Sequence, residues 1–568
     1  MYILGINPGS HESSACLLEN GMIIAVAEEE RFTRLKHAIN QMPCYAIQYC
    51  LEEGGIELSD VDYVATCWNV PHQSENSVQI ETPEDNERFE RRWRKVFPIS
   101  HFGNSKLPTI FHVSHHLSHA AAVYRTSPFE EGALLIVDGQ GDTVSTTLAH
   151  CANNNINILT QFDISQSLGF FYQAVTYYLG FGWLGSEGKT MGLAPYGTVM
   201  YDFPEITLTG DGYHIDAPKP WRRDTVDEML SFWYRRLEEQ FGNPKQLKQT
   251  YDLATGRQRK SLELGTFEKN LAASAQAKLE QVLVHLAQIA LRVSNSTNLM
   301  FSGGVALNCS VNEKLLRETS AKELFLFPAC GDAGAAVGAA LELAHYLGVS
   351  SKTSFEAPFL GPAFNDASVV KVLNEYSIPY SECHNPAQKA AEFLFDNQIV
   401  AWFQGRMEIG PRALGHRSIL ANPQTSQTRD RVNQYAKRRE LWRPLAPVLR
   451  KEDTSSCLGE DIASPYMLRA ISVPQETQVR IPATIHIDGT ARLQTVVEKT
   501  DPLFYELIST FATNSNIPAV LNTSFNDDAE PIVCSPHDAI RTFISTGIDV
   551  LIINNYVIKI KRSQKKRI

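Results

Sequence analysis

The stretch Asn298-Leu-Met-Phe-Ser-Gly-Gly-Val-Ala-Leu-Asn308 runs from an apolar segment directly into two glycines, which is typical of a buried strand that ends in a tight turn. Ala133-Leu-Leu-Ile-Val-Asp-Gly-Gln-Gly-Asp142 has the same form. Between them, apolar residues at intervals of three and four predict an amphipathic helix. The residues with this period are Leu279, Val282, Leu283, Leu286, Ile289, Ala290 and Val293. Strands that alternate with helices predict an α/β fold.

The start of the chain predicts a strand, a polar loop and a hairpin. Asn20-Gly21 separates the apolar runs Ala15–Leu18 and Met22–Ala27. Tight hairpin turns need positive φ at both central positions, which Asn and Gly tolerate well.

The length of 568 residues admits two or three domains. The small polar run Gly348-Val-Ser-Ser-Lys-Thr-Ser354 predicts a boundary, which gives domains 1–350 and 351–568. In the second, Ile399–Phe403 and Ala519–Leu521 are predicted strands. Residues 68–108 and 200–265, richer in charged and aromatic side chains, are interpreted as insertions.

Composition predicts a cytoplasmic protein without a nucleic-acid or membrane partner. Its 52 basic and 63 acidic side chains give a net charge of -11, so no general field attracts polyanions. The ten cysteines contain no Cys-x-x-Cys pair, and no segment has the length and apolarity of a membrane span. The basic end, Lys559-Ile-Lys-Arg-Ser-Gln-Lys-Lys-Arg567, is interpreted as a solvated tail rather than a binding arm.

A metal site is one interpretation of His115 and His119, which lie four residues apart in a predicted helix and therefore share one face. Packing or capping would also explain the pair. Asp138 and Asp332 strengthen the metal hypothesis, because each lies at a strand end or helix entrance beside small residues. Two imidazoles and two carboxylates suit iron, manganese or zinc.

Two glycine-containing segments are candidates for binding a phosphate or nucleoside. Gly303 and Gly304 allow close approach of backbone amides, although two glycines also make an ordinary tight turn. Gly185–Gly197 places Lys189 among glycines without forming a Walker motif, and an irregular loop is the alternative.

The second half concentrates cations among Gly, Pro and apolar residues, which favours an anion pocket over a solvated surface. The candidate side chains are Arg412, Arg417, Lys437, Arg443, Arg492, Asn522, Ser524 and Asn526. In the first polar loop, His11 is a candidate proton carrier or, alternatively, a hydrogen-bonded loop residue.

Together these segments resemble the NodU/CmcH-type O-carbamoyltransferases over nearly the whole chain. The motifs, in order, are the His-containing first loop, Ala27-Glu-Glu-Glu-Arg-Phe-Thr-Arg34, His115-x-x-x-His119, Val137-Asp-Gly-x-Gly141, Gly188-Lys-Thr-Met-Gly-Leu-Ala-Pro-Tyr-Gly197, Ser302-Gly-Gly-Val-Ala-Leu-Asn308, Gly410-Pro-Arg-Ala-Leu-Gly-His-Arg-Ser418 and Asn522-Thr-Ser-Phe-Asn526. Their joint occurrence in this order makes the resemblance specific.

The resemblance implies an N-terminal actin/hexokinase-like domain, similar to the tRNA threonylcarbamoyl transferases, and a C-terminal YrdC-like domain. The second domain would form carbamoyl-adenylate from carbamoyl phosphate and ATP, with Mg²⁺, and the first would pass the carbamoyl group to an alcohol. The implied divalent metal, iron first and manganese or zinc as alternatives, would be held by His115, His119, Asp138 and Asp332.

The resemblance also gives the remaining candidates their roles. The implied catalytic residues are His11, Arg412, Lys437, Arg443 and Arg492. The implied cofactor-binding residues are Lys189, Gly303, Gly304, Asn308, Arg417, Ser524 and Asn526. The acceptor would be a small hydroxylated metabolite, in natural-product biosynthesis, and a homodimer is one expected assembly.

One position departs from the family: His11-Glu12 stands where many relatives have His-Asp, which moves the carboxylate by one methylene. Two other functions are alternatives. A tRNA-modifying enzyme is disfavoured by the acidic net charge, and a non-catalytic ATP-binding module by the intact set of metal and anion residues.

Overall fold

The computed structural model describes residues 1–68, 77–82, 85–182, 184–219, 226–244, 248–252, 257–261, 264–350, 352 and 355–560. It contains two compact units, the first made of residues 1–128 and 326–568, the second of residues 129–325. Most of the predicted basic tail and parts of both predicted insertions and of the predicted boundary lie outside the described residues. The domains 1–350 and 351–568 stay a prediction.

The first part of unit 1 is a sheet with helices beside it. Among its described residues, six strands lie in the order β3-β2-β1-β4-β6-β5, with β1, β4 and β6 mutually parallel. The strands are β1 (Tyr2–Asn7), β2 (Ser14–Glu19), β3 (Met22–Glu28), β4 (Tyr63–Thr66), β5 (Val78–Ile80) and β6 (Thr109–Val113); the helices are α1 (Glu30–Thr33), α2 (Cys44–Gly54), α3 (Asn86–Trp93), α4 (Ile99–Phe102) and α5 (His115–Thr126). The predicted hairpin is confirmed: β2 and β3 are antiparallel, and Asn20 and Gly21 both have positive φ.

Unit 2 contains both stretches that predicted buried strands. In its described residues a five-stranded sheet has the order β15-β14-β7-β8-β9, and β7 and β14 are the two predicted strands, paired in parallel. Its strands are β7 (Gly132–Val137), β8 (Val144–Ala152), β9 (Asn155–Asp163), β10 (Ile206–Thr209), β11 (Gly212–Ile215), β12 (Lys248–Asp252), β13 (Arg257–Ser261), β14 (Asn298–Ser302) and β15 (Glu323–Leu326); its helices are α6 (Leu168–Tyr178), α7 (Glu187–Leu193), α8 (Val226–Phe241), α9 (Thr266–Ser294) and α10 (Cys309–Arg317). The predicted amphipathic helix is α9, although Val293, the last member of the pattern, is 56% exposed.

The last part of unit 1 begins with a helix and continues with a mixed sheet. Its helices are α11 (Ala335–Tyr346), α12 (Asp366–Glu375), α13 (Pro386–Phe395), α14 (Ser426–Arg431), α15 (Thr454–Leu458), α16 (Gln475–Arg480), α17 (Pro502–Ser515) and α18 (Pro536–Ser545); its strands are β16 (Ser381–Glu382), β17 (Val400–Phe403), β18 (Arg417–Ala421), β19 (Ala446–Arg450), β20 (Arg469–Ser472), β21 (Thr490–Val496), β22 (Ala519–Ser524), β23 (Val550–Ile553) and β24 (Tyr556–Ile558). These strands, all within 355–560, lie in the order β16-β24-β23-β17-β18-β22-β19-β21-β20. The predicted strands at Ile399–Phe403 and Ala519–Leu521 are confirmed.

Hydrophobic burial on both faces stabilises this mixed sheet. Successive side chains of a strand point to opposite faces, and in β17 Val400 and Trp402 enter one core while Ala401 and Phe403 enter the other. The described residues thus confirm a mixed α/β protein. Within that same part of the chain, no helix is both long enough and apolar enough to cross a membrane.

Candidate active site

Helix α5 presents the two predicted histidine ligands on one face. His115 and His119 are one turn apart, and their Nε2 atoms lie 3.1 Å from each other. Both side chains are fully buried. Two buried imidazoles pack no better than apolar side chains would. Burying them costs free energy unless a further polar group interacts with them.

Asp332 is that group. It opens a short 3-10 turn, Asp332–Gly334, that leads into α11, and its Oδ1 lies 3.4 Å from His115 Nε2 and 3.5 Å from His119 Nε2. Burial alone would raise the pKa of the carboxyl, but the adjacent His115, His119 and His11 hold it well below its usual range. The carboxylate is therefore ionised at neutral pH.

Close packing of α5 against α11 sets the distance between the histidines and the carboxylate. Gly338 of α11 touches α5 so closely that a Cβ there would lie 1.7 Å from the carbonyl oxygen of Ser118. The buried Arg125 of α5 donates to Glu342 of α11 at 2.6 Å and 2.9 Å. A shift of one helix along the other would leave this buried pair broken.

A second layer of side chains orients the first. His115 Nδ1 lies 3.3 Å from the carbonyl oxygen of Cys67, so a proton on Nδ1 leaves Nε2 to face Asp332. The Trp68 ring stacks on the His115 ring at 3.9 Å, and its Nε1 donates to Asn7 Oδ1 at 3.0 Å. Asn7 Nδ2 lies 3.3 Å from the carbonyl oxygen of Asp332. Sequence reasoning missed Asn7 and Trp68, because only the fold brings these positions together.

The first polar loop lies beside this cluster. His11 Nδ1 is 3.8 Å from Asp332 Oδ2. Glu12, at a positive φ of 52°, directs its Oε1 to 3.6 Å from His37 Nδ1, and its amide donates to the His37 carbonyl at 2.6 Å. Burial lowers and the Glu12 carboxylate raises the pKa of His37, with a net increase. The longer Glu12 side chain thus contacts the segment that carries His37.

The residues of unit 1 fit a divalent transition metal. Two imidazole nitrogens and an ionised carboxylate oxygen, all buried, lie within 3.5 Å of one another, and this donor set is one that such ions take. The fourth predicted ligand, Asp138, is also buried but belongs to unit 2. Its role as a ligand stays a prediction.

In unit 2, Asp138 follows β7 directly and lies beside the two predicted glycines. Its Oδ1 accepts from the Gly139 amide at 2.7 Å. Gly303 has φ +92°, and a Cβ there would lie 2.3 Å from the Val137 carbonyl oxygen; a Cβ on Gly304 would lie 3.0 Å from Asp138 Oδ1. The tight turn that accompanies the Gly-Gly pattern is therefore present, whereas its phosphate-binding role stays a prediction.

Asn308 and Lys189 also lie in unit 2. Asn308 caps α10, where its Oδ1 accepts from the Val311 amide at 3.2 Å, and its Nδ2 donates to Gln276 Oε1 at 2.9 Å. Lys189 is half-buried in α7. The structure gives Asn308 a capping role, and the predicted cofactor contacts of both residues stay predictions.

The second predicted site is built around Lys437, in unit 1. This buried lysine places Nζ 2.7 Å from the carbonyl oxygens of Ser524 and Asn526, 3.0 Å from Ser524 Oγ and 2.7 Å from Asn526 Oδ1. Burial, followed by the positive charge of Arg439, holds the pKa of the ammonium well below its usual range. The structure thus brings three of the predicted residues into direct contact.

Further cations surround this lysine. Arg443 Nη1 pairs with Asp528 Oδ1 at 3.2 Å. Arg439 donates to Asn433 Oδ1 at 2.9 Å, and burial, then the charges of Arg443 and Arg492, hold its pKa well below its usual range. Sequence reasoning did not single out Arg439, although it lies two residues after Lys437. Positive charges held this close repel one another, and a bound anion would offset that repulsion.

Arg412 and Arg417 differ in their surroundings. Arg412 is half-buried two residues after Gly410. Arg417 is fully buried over the Phe403 ring, 3.6 Å from its centroid, and donates to the carbonyls of Gln404 at 2.6 Å and Pro362 at 3.0 Å. Burial lowers the pKa of Arg417 to about 10. These contacts give Arg417 a structural role, and its predicted cofactor contact stays a prediction.

Comparison with known proteins covers most of the chain. Residues 2–341 match the family described as "Carbamoyltransferase N-terminus", and residues 391–560 match "Carbamoyltransferase C-terminus". "Nodulation protein NolNO" of Sinorhizobium fredii is 35% identical over 97% of this chain and 79% of its own length. "3'-hydroxymethylcephem-O-carbamoyltransferase" of Streptomyces clavuligerus is 33% identical over 49% of this chain and 52% of its own length.

Among solved structures, "full-length HypF in the phosphate- and nucleotide-bound form" superposes with a TM-score of 0.34 and 13% identity, over 62% of this chain and 47% of that one. So loose a likeness carries no argument about function. The two family matches together span most of the sequence, and they confirm the resemblance to the NodU/CmcH-type enzymes. The chain belongs to the carbamoyltransferase family and is a carbamoyltransferase.

Proposed function

We propose that the chain is an ATP-dependent O-carbamoyltransferase that forms carbamoyl-adenylate and then carbamoylates a hydroxyl of a small metabolite, in natural-product biosynthesis. Its N-terminal part would be actin/hexokinase-like and its C-terminal part YrdC-like. The observation that carries the proposal is the group of crowded cations formed by Lys437, Arg439 and Arg443, of which Lys437 and Arg439 have pKa values well below their usual ranges.

Forming the adenylate requires two anionic substrates to meet. Carbamoyl phosphate, ATP and water would give carbamoyl-adenylate, pyrophosphate and orthophosphate. Lys437, Arg439 and Arg443 offset the repulsion between the substrates, and their fixed positions align the attacking oxygen with the α-phosphate. Arg412 and Arg492, both half-buried, would complete the site.

Transfer to the alcohol forms a carbamate ester and releases AMP, and in this proposal it takes place at the cluster of unit 1. His115, His119 and Asp332 would hold a divalent metal, and the ligand role of Asp138 stays a prediction. When bound, the metal would polarise the carbamoyl carbonyl. His11 is held near Asp332 and would accept the proton of the attacking hydroxyl.

Pyrophosphate release separates the two half-reactions. With carbamoyl phosphate, ATP and Mg²⁺, Arg443→Ala should abolish pyrophosphate release, because it removes a cation that faces the substrates. His119→Ala should retain this release and lose transfer to an acceptor. Arg431→Ala is the matched control, since Arg431 makes a comparable 2.9 Å ion pair with Asp549 outside the proposed site. Pyrophosphate release that needs no carbamoyl phosphate would contradict the proposal.

A further inference from the structure

Residues 28–36, here called the bridging segment, connect the first sheet of unit 1 to its last part. Arg31 Nη2 donates to the Gly410 carbonyl at 2.9 Å, and the Gly410 amide donates to Glu28 Oε1 at 2.6 Å. Arg31 is only 4% exposed and also pairs with Glu28. Gly410 lies two residues before Arg412, so this contact fixes the backbone that leads to a predicted substrate-binding residue.

Arg34, at the end of the same segment, contacts a second part of the C-terminal region. Its guanidinium donates to the carbonyls of Ile532 and Pro531, both at 2.7 Å. It also pairs with Glu530 at 3.1 Å and with Asp538 at 3.3 Å. Its side chain is 14% exposed. Two carbonyls and two carboxylates around one largely buried guanidinium fix the position of the loop that carries them.

The loop 526–532 that Arg34 holds is part of the Lys437 site. Asn526 Nδ2 donates to the Glu530 carbonyl at 2.8 Å, and Asn526 Oδ1 accepts from Lys437 at 2.7 Å. Farther along the loop, Asp528 pairs with Arg443. A continuous set of hydrogen bonds therefore runs from Arg34 through Glu530 and Asn526 to Lys437.

We propose that Arg34 is a positioning residue for adenylate formation: by holding loop 526–532, it fixes Asn526 and Asp528 against Lys437 and Arg443. This proposal rests on the proposed function and extends it. The first half-reaction would depend on a residue of the N-terminal family region, which is also the region of the proposed transfer site. Arg34 itself touches no substrate.

The test uses the full chain with Arg34→Ala, and Arg34→Lys as a milder second variant. Carbamoyl phosphate-dependent pyrophosphate release should fall roughly tenfold or more in Arg34→Ala, because several charge-assisted hydrogen bonds are lost. The KM for carbamoyl phosphate should rise while the bound metal per chain stays as in the unsubstituted protein. Arg541→Ala is the matched control: Arg541 contacts the same Glu530 and Asp538 at 3.0 Å and 3.5 Å, but it is 57% exposed. The control should retain the original kinetics.

Hydrogen exchange gives a readout that does not depend on activity. Amides of 526–533 should exchange faster in both Arg34 variants, whereas those of α5 should be unchanged. Unaltered exchange and kinetics in either variant would overturn the proposal. A lack of pyrophosphate release from the unsubstituted chain would contradict the proposed function, and the exchange comparison would still decide whether Arg34 holds the loop.

Discussion

Replacing Glu29 by Gln should change how the stability of the protein depends on pH. Glu29 is 2% exposed and caps the N-terminus of α2, accepting from the amides of Ala46 at 2.9 Å and Tyr45 at 3.3 Å. Burial raises its pKa from 4.5 to about 7, although these two amides oppose the change. The amide of Gln still offers an oxygen to the helix but cannot ionise.

The sign follows from proton binding. Between pH 4.5 and 7 the native state holds a proton on Glu29 that the unfolded state has lost, so the stabilisation from this group is full below 4.5 and disappears as the pH rises to 7. At about 1.4 kcal/mol per pKa unit, the loss is about 3 kcal/mol. Glu29→Gln should therefore gain about 3 kcal/mol relative to the unsubstituted protein on going from pH 4.5 to pH 8.

Guanidinium unfolding at pH 4.5, 6 and 8 measures this difference. Glu52→Gln, the same exchange at an exposed position of the same helix, is the control. If the free-energy gain of Glu29→Gln over the unsubstituted protein stays constant, or shrinks as the pH rises, the raised pKa of Glu29 is contradicted.

Two further substitutions test the local geometry. Gly303→Ala should destabilise unit 2 by several kcal/mol, lowering the thermal midpoint, because the Cβ would lie 2.3 Å from the Val137 carbonyl at a φ of +92°. In Gly188→Ala the added Cβ would lie more than 4 Å from every described atom outside its chain neighbours and its own helix backbone, so the midpoint should stay within a few degrees of the original. Equal midpoints for both variants would contradict this expectation. His119→Ala should lower the amount of bound metal per chain, measured by elemental analysis. The control His285→Ala, at a partly exposed position on α9, should keep the metal. Retention of metal by His119→Ala would contradict the role of His119 as a ligand.

Local patterns predicted the parts of the protein that depend on neighbouring residues. The hairpin at Asn20-Gly21 follows from turn chemistry, and the shared face of His115 and His119 follows from the helical period. The α9 pattern predicted the helix, although Val293, its last member, is 56% exposed.

Contacts between distant parts of the chain were not predictable from the sequence. Arg34 and Glu530 are 496 positions apart, and no periodicity links them. Arg417 illustrates the opposite difficulty. A guanidinium among glycines indicated an anion site, yet in the fold it donates hydrogen bonds to backbone carbonyls. Deciding between these two partners requires tertiary structure.

The most direct test of adenylate formation is an acid-quenched single turnover with ¹⁴C-labelled carbamoyl phosphate and α-³²P-labelled ATP, without an acceptor. Adenylate formation predicts a product that carries both labels, together with one pyrophosphate per turnover. Arg443→Ala should lose this product. Transfer of the ³²P label only to ADP, or ¹⁴C and ³²P in separate products throughout the time course, would contradict it.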